Sequence, residues 1–327
     1  MIQASIAGIG SYVPSRVVTN ADLMKIVDTS DEWIIKRTGI KERRYAADDQ
    51  ACSDLAYFAA TSALEMAEME PSELDCIIIG TVTGDHPFPS TACILQEKLG
   101  AKGAMAFDVS AGCTGFMLGL SIGSNMIKTG QFKKVLVVGG EVLSRVTDFE
   151  DRGTCVLFGD GAGAVVLTAP DDSGSGILST HLESDGSYAD MLNIPAGGSR
   201  KPPTLETIKN RKHYLYMEGQ ITFKMAIRTM TKIGNLALEQ NGLTIEDIDY
   251  VVPHQANWRI IEGLAKKLGA PIDKVISEIH KYGNTSGASI PIALDEAVRS
   301  GKVKKGDLLL LTAFGAGYTW GSSIVRW

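Results

Sequence analysis

Apolar residues in this chain come in short continuous runs rather than in strict alternation. Cys76-Ile77-Ile78-Ile79, Val135-Leu136-Val137-Val138, Tyr250-Val251-Val252 and Leu308-Leu309-Leu310-Leu311 are examples. Such runs mark strands buried on both faces, with helices as cover. Between them the spacing turns helical. Segment 53–69 has apolar positions at helical spacing behind a Ser suited to capping, and 217–240 is a second long helical segment. Segments 109–127 and 308–325 hold no charged residue over a nearly membrane-spanning length. Both are broken by Gly, Ser and Thr, so they are expected to be buried core rather than spans. Segment 186–210, rich in Gly and Pro, reads as a long excursion that could wall a pocket.

Parts of the two halves match in the same order. Ser72-Glu73-Leu74-Asp75-Cys76-Ile77-Ile78-Ile79 resembles Ile245-Glu246-Asp247-Ile248-Asp249-Tyr250-Val251-Val252: each is an acidic turn feeding a buried strand. Glu97-Lys98-Leu99-Gly100 resembles Lys266-Lys267-Leu268-Gly269, and Lys134-Val135-Leu136-Val137-Val138 resembles Asp307-Leu308-Leu309-Leu310-Leu311. The order and spacing favour a duplicated α/β unit, divided as 1–173 and 174–327. The junction is expected in the polar, glycine-containing run 171–176.

Composition narrows the picture. The chain has 327 residues, 44% of them apolar, and a net charge of −6. That fits a globular enzyme with one large core or two fused ones, and it argues against general nucleic-acid binding. The N-terminus has no basic segment before an apolar one, so no signal peptide is expected. The cysteines are five in number, with no C-x-x-C pair and none in the second half. Neither a disulfide framework nor a metal site is expected, and a reducing cytoplasm is the expected compartment.

One cysteine stands apart. In Phe107-Asp108-Val109-Ser110-Ala111-Gly112-Cys113-Thr114-Gly115-Phe116, a strand-like run meets a bend of small residues, and Cys113 opens the helix that follows. A thiol there meets free backbone N–H groups and the positive end of the helix dipole, which favours its thiolate. Most lone cysteines are small buried hydrophobes; the strand–bend–helix context makes this one a candidate nucleophile. His254 follows an apolar strand in Pro253-His254-Gln255-Ala256-Asn257, at a strand end where α/β sites collect. Asn284 sits in Tyr282-Gly283-Asn284-Thr285-Ser286-Gly287, where small residues let backbones approach a ligand. Taken singly, His254 could be a core histidine and Asn284 a turn residue. Together the three suggest acyl-thioester chemistry.

These elements resemble the thiolase superfamily and, within it, the β-ketoacyl-acyl-carrier-protein synthase III family, the initiating condensing enzymes of bacterial fatty-acid synthesis. The resemblance runs through Thr29-Ser30-Asp31-Glu32-Trp33-Ile34-Ile35-Lys36-Arg37-Thr38-Gly39, the Cys113 elbow, Phe158-Gly159-Asp160-Gly161-Ala162-Gly163, the His254 and Asn284 motifs, and Ala313-Phe314-Gly315-Ala316-Gly317-Tyr318. It implies a five-layered α-β-α-β-α fold, with two pseudo-twofold-related halves holding mixed five-stranded sheets, and a homodimer. It implies an acyltransferase with the triad Cys113, His254 and Asn284. Cys113 would take the acyl group from acetyl-CoA or another short acyl-CoA. His254 and Asn284 would donate hydrogen bonds to the enolate formed when malonyl-acyl-carrier protein loses CO₂. The backbone N–H groups of Cys113 and Ala316 would form the oxyanion hole. No cofactor is implied, since the coenzyme A thioester is a substrate.

The resemblance also places Trp33, Arg37 and Arg152 at the adenine end of coenzyme A, where an indole and a guanidinium can sandwich a base, and Asn257 near its pantetheine arm. It implies an acyl pocket of Leu143, Phe158, Leu192, Leu215, Met217 and Phe314, with Phe88 reaching in from the other subunit; by residue type alone each could equally be core. Lys224, Arg228 and Lys232 share one helix face, and Arg259, Lys266 and Lys267 follow on the next helix. Such a stripe is commonly a solvated face; the acidic acyl-carrier protein makes docking through Lys224, Arg228 and Arg259 the expectation. Degradative thiolases need a second catalytic Cys in the C-terminal half, which this chain lacks. Elongating synthases carry a His where Asn284 stands. Two alternatives stay open: a non-condensing acyl-binding partner of the same fold, and a starter-specific condensing enzyme of polyketide synthesis.

Overall fold

The computed structural model describes residues 4–170 and 174–327. Two sheets lie face to face with helices between and outside them. The first has the order Ser5–Tyr12, Gly161–Thr168, Lys134–Glu141, Cys76–Gly80, Met105–Val109. The first three strands run antiparallel to their neighbours, and the last two continue parallel to Lys134–Glu141. The second has the order Gly176–Ser184, Thr319–Arg326, Leu308–Gly315, Tyr250–Pro253, with the same sequence of antiparallel and parallel pairings.

The expected fifth strand of the second sheet is reduced to one parallel bridge, Val251 to Val275. A side chain takes over the ladder's work there. Gln255 Oε1 accepts from Ser277 Oγ (2.9 Å) and from the Glu278 N–H (3.0 Å), and its amide donates to the Pro253 carbonyl at 2.6 Å. Buried polar groups satisfied this way do not require a strand.

Helices Gly115–Lys128 and Ser289–Arg299 form the central layer and touch strands of both sheets. Cys52–Met66 and Thr91–Leu99 cover the first sheet; Gly219–Gln240 and Trp258–Leu268 cover the second. This is the five-layered arrangement. The uncharged stretches 109–127 and 308–325 become the central helix and a pair of antiparallel strands, most of their residues buried. No helix among the described residues is long and apolar enough to cross a membrane.

Element ends differ from the pattern in instructive ways. The first outer helix starts at Cys52 with Ala51 at its cap, not a Ser. Ser53 instead gives its N–H and hydroxyl to Asp85 (2.9 and 2.7 Å), while Asp54 accepts from the Ala51 N–H. The helix also stops early, where Glu68 takes φ +50° and the Met69 N–H closes onto the Leu64 carbonyl. The long helix expected from 217 starts at Gly219, because Tyr216–Met217 pairs with Leu192–Asn193 in a short ribbon. Of the expected junction, residues 171–173 lie outside the described residues.

Candidate active site

Strand Met105–Val109 leads through a bend into the tight turn Gly112–Thr114 and then the central helix. Cys113 sits in that turn, half-buried. Gly112 takes φ +52°, and a Cβ there would lie 2.6 Å from the Ala316 nitrogen. A Cβ on Gly315 would lie 2.5 Å from the Cys113 nitrogen. These two glycines let the loop after strand Leu308–Gly315 press its backbone against the cysteine turn, which brings the N–H groups of Cys113 and Ala316 to one place.

His254 lies at the end of strand Tyr250–Pro253 and is fully buried. Its Nδ1 meets Ser289 Oγ at 2.7 Å, and that oxygen also accepts from the Gln255 N–H at 3.2 Å. Burial pushes the His254 pKa down to about 3, so the ring is neutral. Asn284 is held through its own backbone: its N–H donates to the Leu157 carbonyl and its carbonyl accepts from Gly159. Its side-chain oxygen accepts from the Ser286 N–H at 2.8 Å, which leaves the amide NH₂ for the cavity.

Cys113, His254, Asn284 and Ala316 line a single apolar cavity with Leu143, Phe158, Leu192, Leu215, Met217 and Phe314. Phe314 in that lining is backed by further rings. Tyr318 stacks on Tyr188 at 4.9 Å, meets Phe314 edge-on at 5.0 Å, and shares a hydrogen bond with Thr222 at 3.2 Å. Phe88 is not in this cavity; it is 84% exposed on the surface. Val82, Thr222, Phe223 and Ile260 also line the cavity and escaped the sequence reading, since apolar residues on helices and loops carry no mark of a pocket.

A second, more open cavity continues outward and shares Leu157, Met217, Gly219, Phe223 and Asn257 with the first. Trp33, Arg37, Lys224 and Arg259 line it. Arg152 and Arg37 place their guanidinium carbons 5.0 and 5.8 Å from the Trp33 ring centroid. Asn257 uses its side chain structurally: it caps helix Trp258–Leu268 through the Arg259 N–H and ties to the Arg37 carbonyl at 3.0 Å. Lys224, Arg228 and Arg259 are exposed, and Arg259 rests over the Phe223 ring. Lys232, the next cation of the stripe, is paired with Glu183 at 2.6 Å.

One expectation reverses. The Cys113 thiol is not poised as thiolate. Burial pushes it up to about 12; the nearby Ser286 hydroxyl opposes that push, and the Glu141 carboxylate adds to it. The apolar walls outweigh the helix end, and the helix proper begins only at Gly115, after the turn. The sequence reading missed both Ser286 and Glu141; a carboxylate closing a buried strand was the available signal for the second.

Sheet order, a central helix carrying a cysteine turn, and a cavity between the halves define a thiolase-fold condensing enzyme. The model of the 3-oxoacyl-[acyl-carrier-protein (ACP)] synthase III family matches residues 107–186, and that of its C-terminal part matches 238–327. The beta-ketoacyl-[acyl-carrier-protein] synthase III of Caldanaerobacter subterraneus subsp. tengcongensis is 54% identical over 326 residues, covering 100% of this chain and 98% of that relative. The crystal structure of 3-oxoacyl-[acyl-carrier-protein] synthase III from Aquifex aeolicus VF5 superposes with a TM-score of 0.92 at 50% identity, covering 99% of this chain and 100% of that one. The priming beta-ketosynthase from the R1128 polyketide pathway superposes with a TM-score of 0.91 at 36% identity, over 98% of this chain and 96% of that one. This chain belongs to the 3-oxoacyl-[acyl-carrier-protein] synthase III family and is an acyltransferase that initiates fatty-acid synthesis.

Proposed function

We propose that the protein condenses an acyl-CoA starter, acetyl-CoA first among them, with malonyl-acyl-carrier protein, giving a 3-ketoacyl-acyl-carrier protein, CO₂ and CoA through an acyl-Cys113 intermediate. The observation that carries this reading is the meeting of Cys113, His254, Asn284 and Ala316 in one apolar cavity that runs out to Trp33 and its two arginines. Cys113 attacks the thioester carbonyl, and the oxyanion forms against the N–H groups of Cys113 and Ala316. Malonyl-acyl-carrier protein then enters by the same channel. Its enolate oxygen lies against a neutral imidazole and an amide, two donors that need no proton transfer. Loss of CO₂ makes the step effectively irreversible.

Trp33, Arg37 and Arg152 hold the adenine, which displaces a guanidinium stacked on the indole. Asn257 shapes the pantetheine channel through its backbone and the Arg37 tie rather than through a free side chain. Lys224 and Arg259 flank the channel mouth, and with Arg228 they form the docking face for an acidic carrier protein. Phe88, exposed on one protomer, fits a homodimer in which it reaches the partner's acyl pocket. We read the chain as two halves, 1–173 and 174–327, a division supported by their shared strand order. No cofactor enters the chemistry, and we place the enzyme in the cytoplasm.

The test is mass spectrometry of the purified protein after acetyl-CoA, then after malonyl-acyl-carrier protein. An acetyl adduct on Cys113 that disappears with 3-ketoacyl product is the expected result. An adduct that persists would mean an acyl-binding partner that does not condense. Repeating the first step with longer and branched acyl-CoAs separates an acetyl starter from the wider choice suggested by the polyketide priming enzyme.

A further inference from the structure

Glu141 closes strand Lys134–Glu141 and is fully buried, with no cation beside it among the described residues. Its carboxylate accepts from the hydroxyls of Thr81 and Thr83, from the Val82 N–H, and from Ser286 Oγ at 3.1 Å. Ser286 in turn lines the same cavity as Cys113, and its hydroxyl bears on the thiol there. A hydroxyl that donates to a carboxylate keeps lone pairs that can take the S–H proton, so a path lies open from Cys113 through Ser286 to Glu141.

The shape of the Ser286 turn marks it as built for this contact. Ser286–Ala288 leads into central helix Ser289–Arg299 as Gly112–Thr114 leads into Gly115–Lys128. Both turns open on a residue in the left-handed region, φ +52° at Gly112 and φ +50° at Ser286. Glycine takes that conformation freely; serine does so at a cost. The partner strands correspond as well: Gly315 ends Leu308–Gly315 where Glu141 ends Lys134–Glu141. In one half, two glycines bring the backbones together. At the twin position stand a strained serine, which lines the cavity with Cys113, and a buried carboxylate behind it.

We propose that Ser286 and Glu141 form a proton relay for Cys113. As the sulfur attacks the acyl-CoA carbonyl, the S–H bond breaks. Its proton goes to Ser286 Oγ, and the Ser286 proton goes to Glu141 Oε1. CoA leaves as thiolate and takes its proton from solvent, the one proton consumed overall. The Cys113 proton stays on Glu141 for the lifetime of the acyl-enzyme. When the enolate carbon attacks the acyl group, Cys113 leaves as thiolate and recovers that proton through Ser286. His254 is a proton acceptor in the cavity lining itself, but its depressed pKa of about 3 makes it far weaker than Glu141 behind Ser286, which burial raises to about 7. The titratable groups that feel Glu141 are Cys113 and Cys52, and Asp85 and Asp108 lie beyond, around Cys52. Cys52 is pushed well up by burial, Asp85 is held by Ser53, and Asp108 by the N–H groups of Thr91 and Ala92.

The relay rests on the acyl-Cys113 reading, and one experiment separates the two. Infrared difference spectra of the wild-type enzyme before and after acetyl-CoA, run beside mass spectrometry, should show a carboxylic-acid C=O band appearing with the adduct. The band should move on ¹³C-glutamate labelling. Glu141→Gln should lack it and take up acetyl about 10²-fold more slowly. Ser286→Ala should slow uptake similarly. The wild-type uptake rate should rise with pH through the Glu141 titration, a limb missing from Glu141→Gln. A complete adduct with no carboxylic-acid band overturns the relay and leaves Cys113 as acyl carrier. Glu141→Gln acylating at the wild-type rate with the wild-type pH profile overturns it too. No adduct on the wild type overturns the acyl-Cys113 reading and the relay with it.

Discussion

The two halves share one strand order, yet they put different chemistry at the same station. In the first half the turn before the central helix carries Cys113; in the second the equivalent turn opens on Ser286 two residues after Asn284, and His254 follows the end of a neighbouring strand. The nucleophile comes from one half, and the neutral donors come from the other. A duplicated scaffold thus brings two stations to one cavity, and each can be changed without rebuilding the other. The comparison also shows where burial overrides position. A helix end alone predicts an easily ionised Cys113, but the shared apolar cavity raises the thiol and depresses the imidazole together. Both groups rest uncharged.

The largest break in this picture is Cys113→Ala. It should abolish acyl-enzyme and condensation while thermal melting stays close to wild type, because a half-buried thiol adds little packing. Normal condensation by this variant would end the assignment. On the other half, His254→Ala and Asn284→Ala should each slow decarboxylation of malonyl-acyl-carrier protein by about 10²–10³ and leave acetyl uptake at least partly intact. Because His254 is already neutral, the wild-type decarboxylation rate should show no step near the ordinary imidazole pKa of about 6.5. A step there would mean a charged histidine.

Sequence legibility follows the range of the contact. The Cys113 elbow, the buried strands and the repeated order are local patterns, and a single stretch of chain displays each. The Ser286–Glu141 contact joins residues 145 positions apart; the carboxylate at the end of a buried strand hints at Glu141, but nothing near either residue names the other. Asp85 replaces the expected serine cap from 32 positions away for the same reason. The missing fifth strand of the second sheet gives way to Gln255, whose amide looks like any polar loop residue until its partners are known. Phe88 and Arg228 lie outside the cavity of their own chain, and only an assembled complex would give them a role.

Smaller effects sharpen the outer part of the site. Trp33→Ala should raise KM for acetyl-CoA and hardly alter use of acetyl-pantetheine, which lacks the adenine. Equal damage with both donors would give Trp33 a folding role instead. Lys224→Glu or Arg259→Glu should raise KM for malonyl-acyl-carrier protein, and added salt should do the same for wild type, while acetyl uptake changes far less. An unchanged KM would return the stripe to a solvated helix face.

The division of labour between the halves is tested most directly by measuring both half-reactions on the same two variants. Cys113→Ala should take up no acetyl group and still release CO₂ from malonyl-acyl-carrier protein; His254→Ala should take up acetyl and release almost no CO₂. If each variant, folded by its circular dichroism and melting, lost both half-reactions alike, the halves would not have separate tasks.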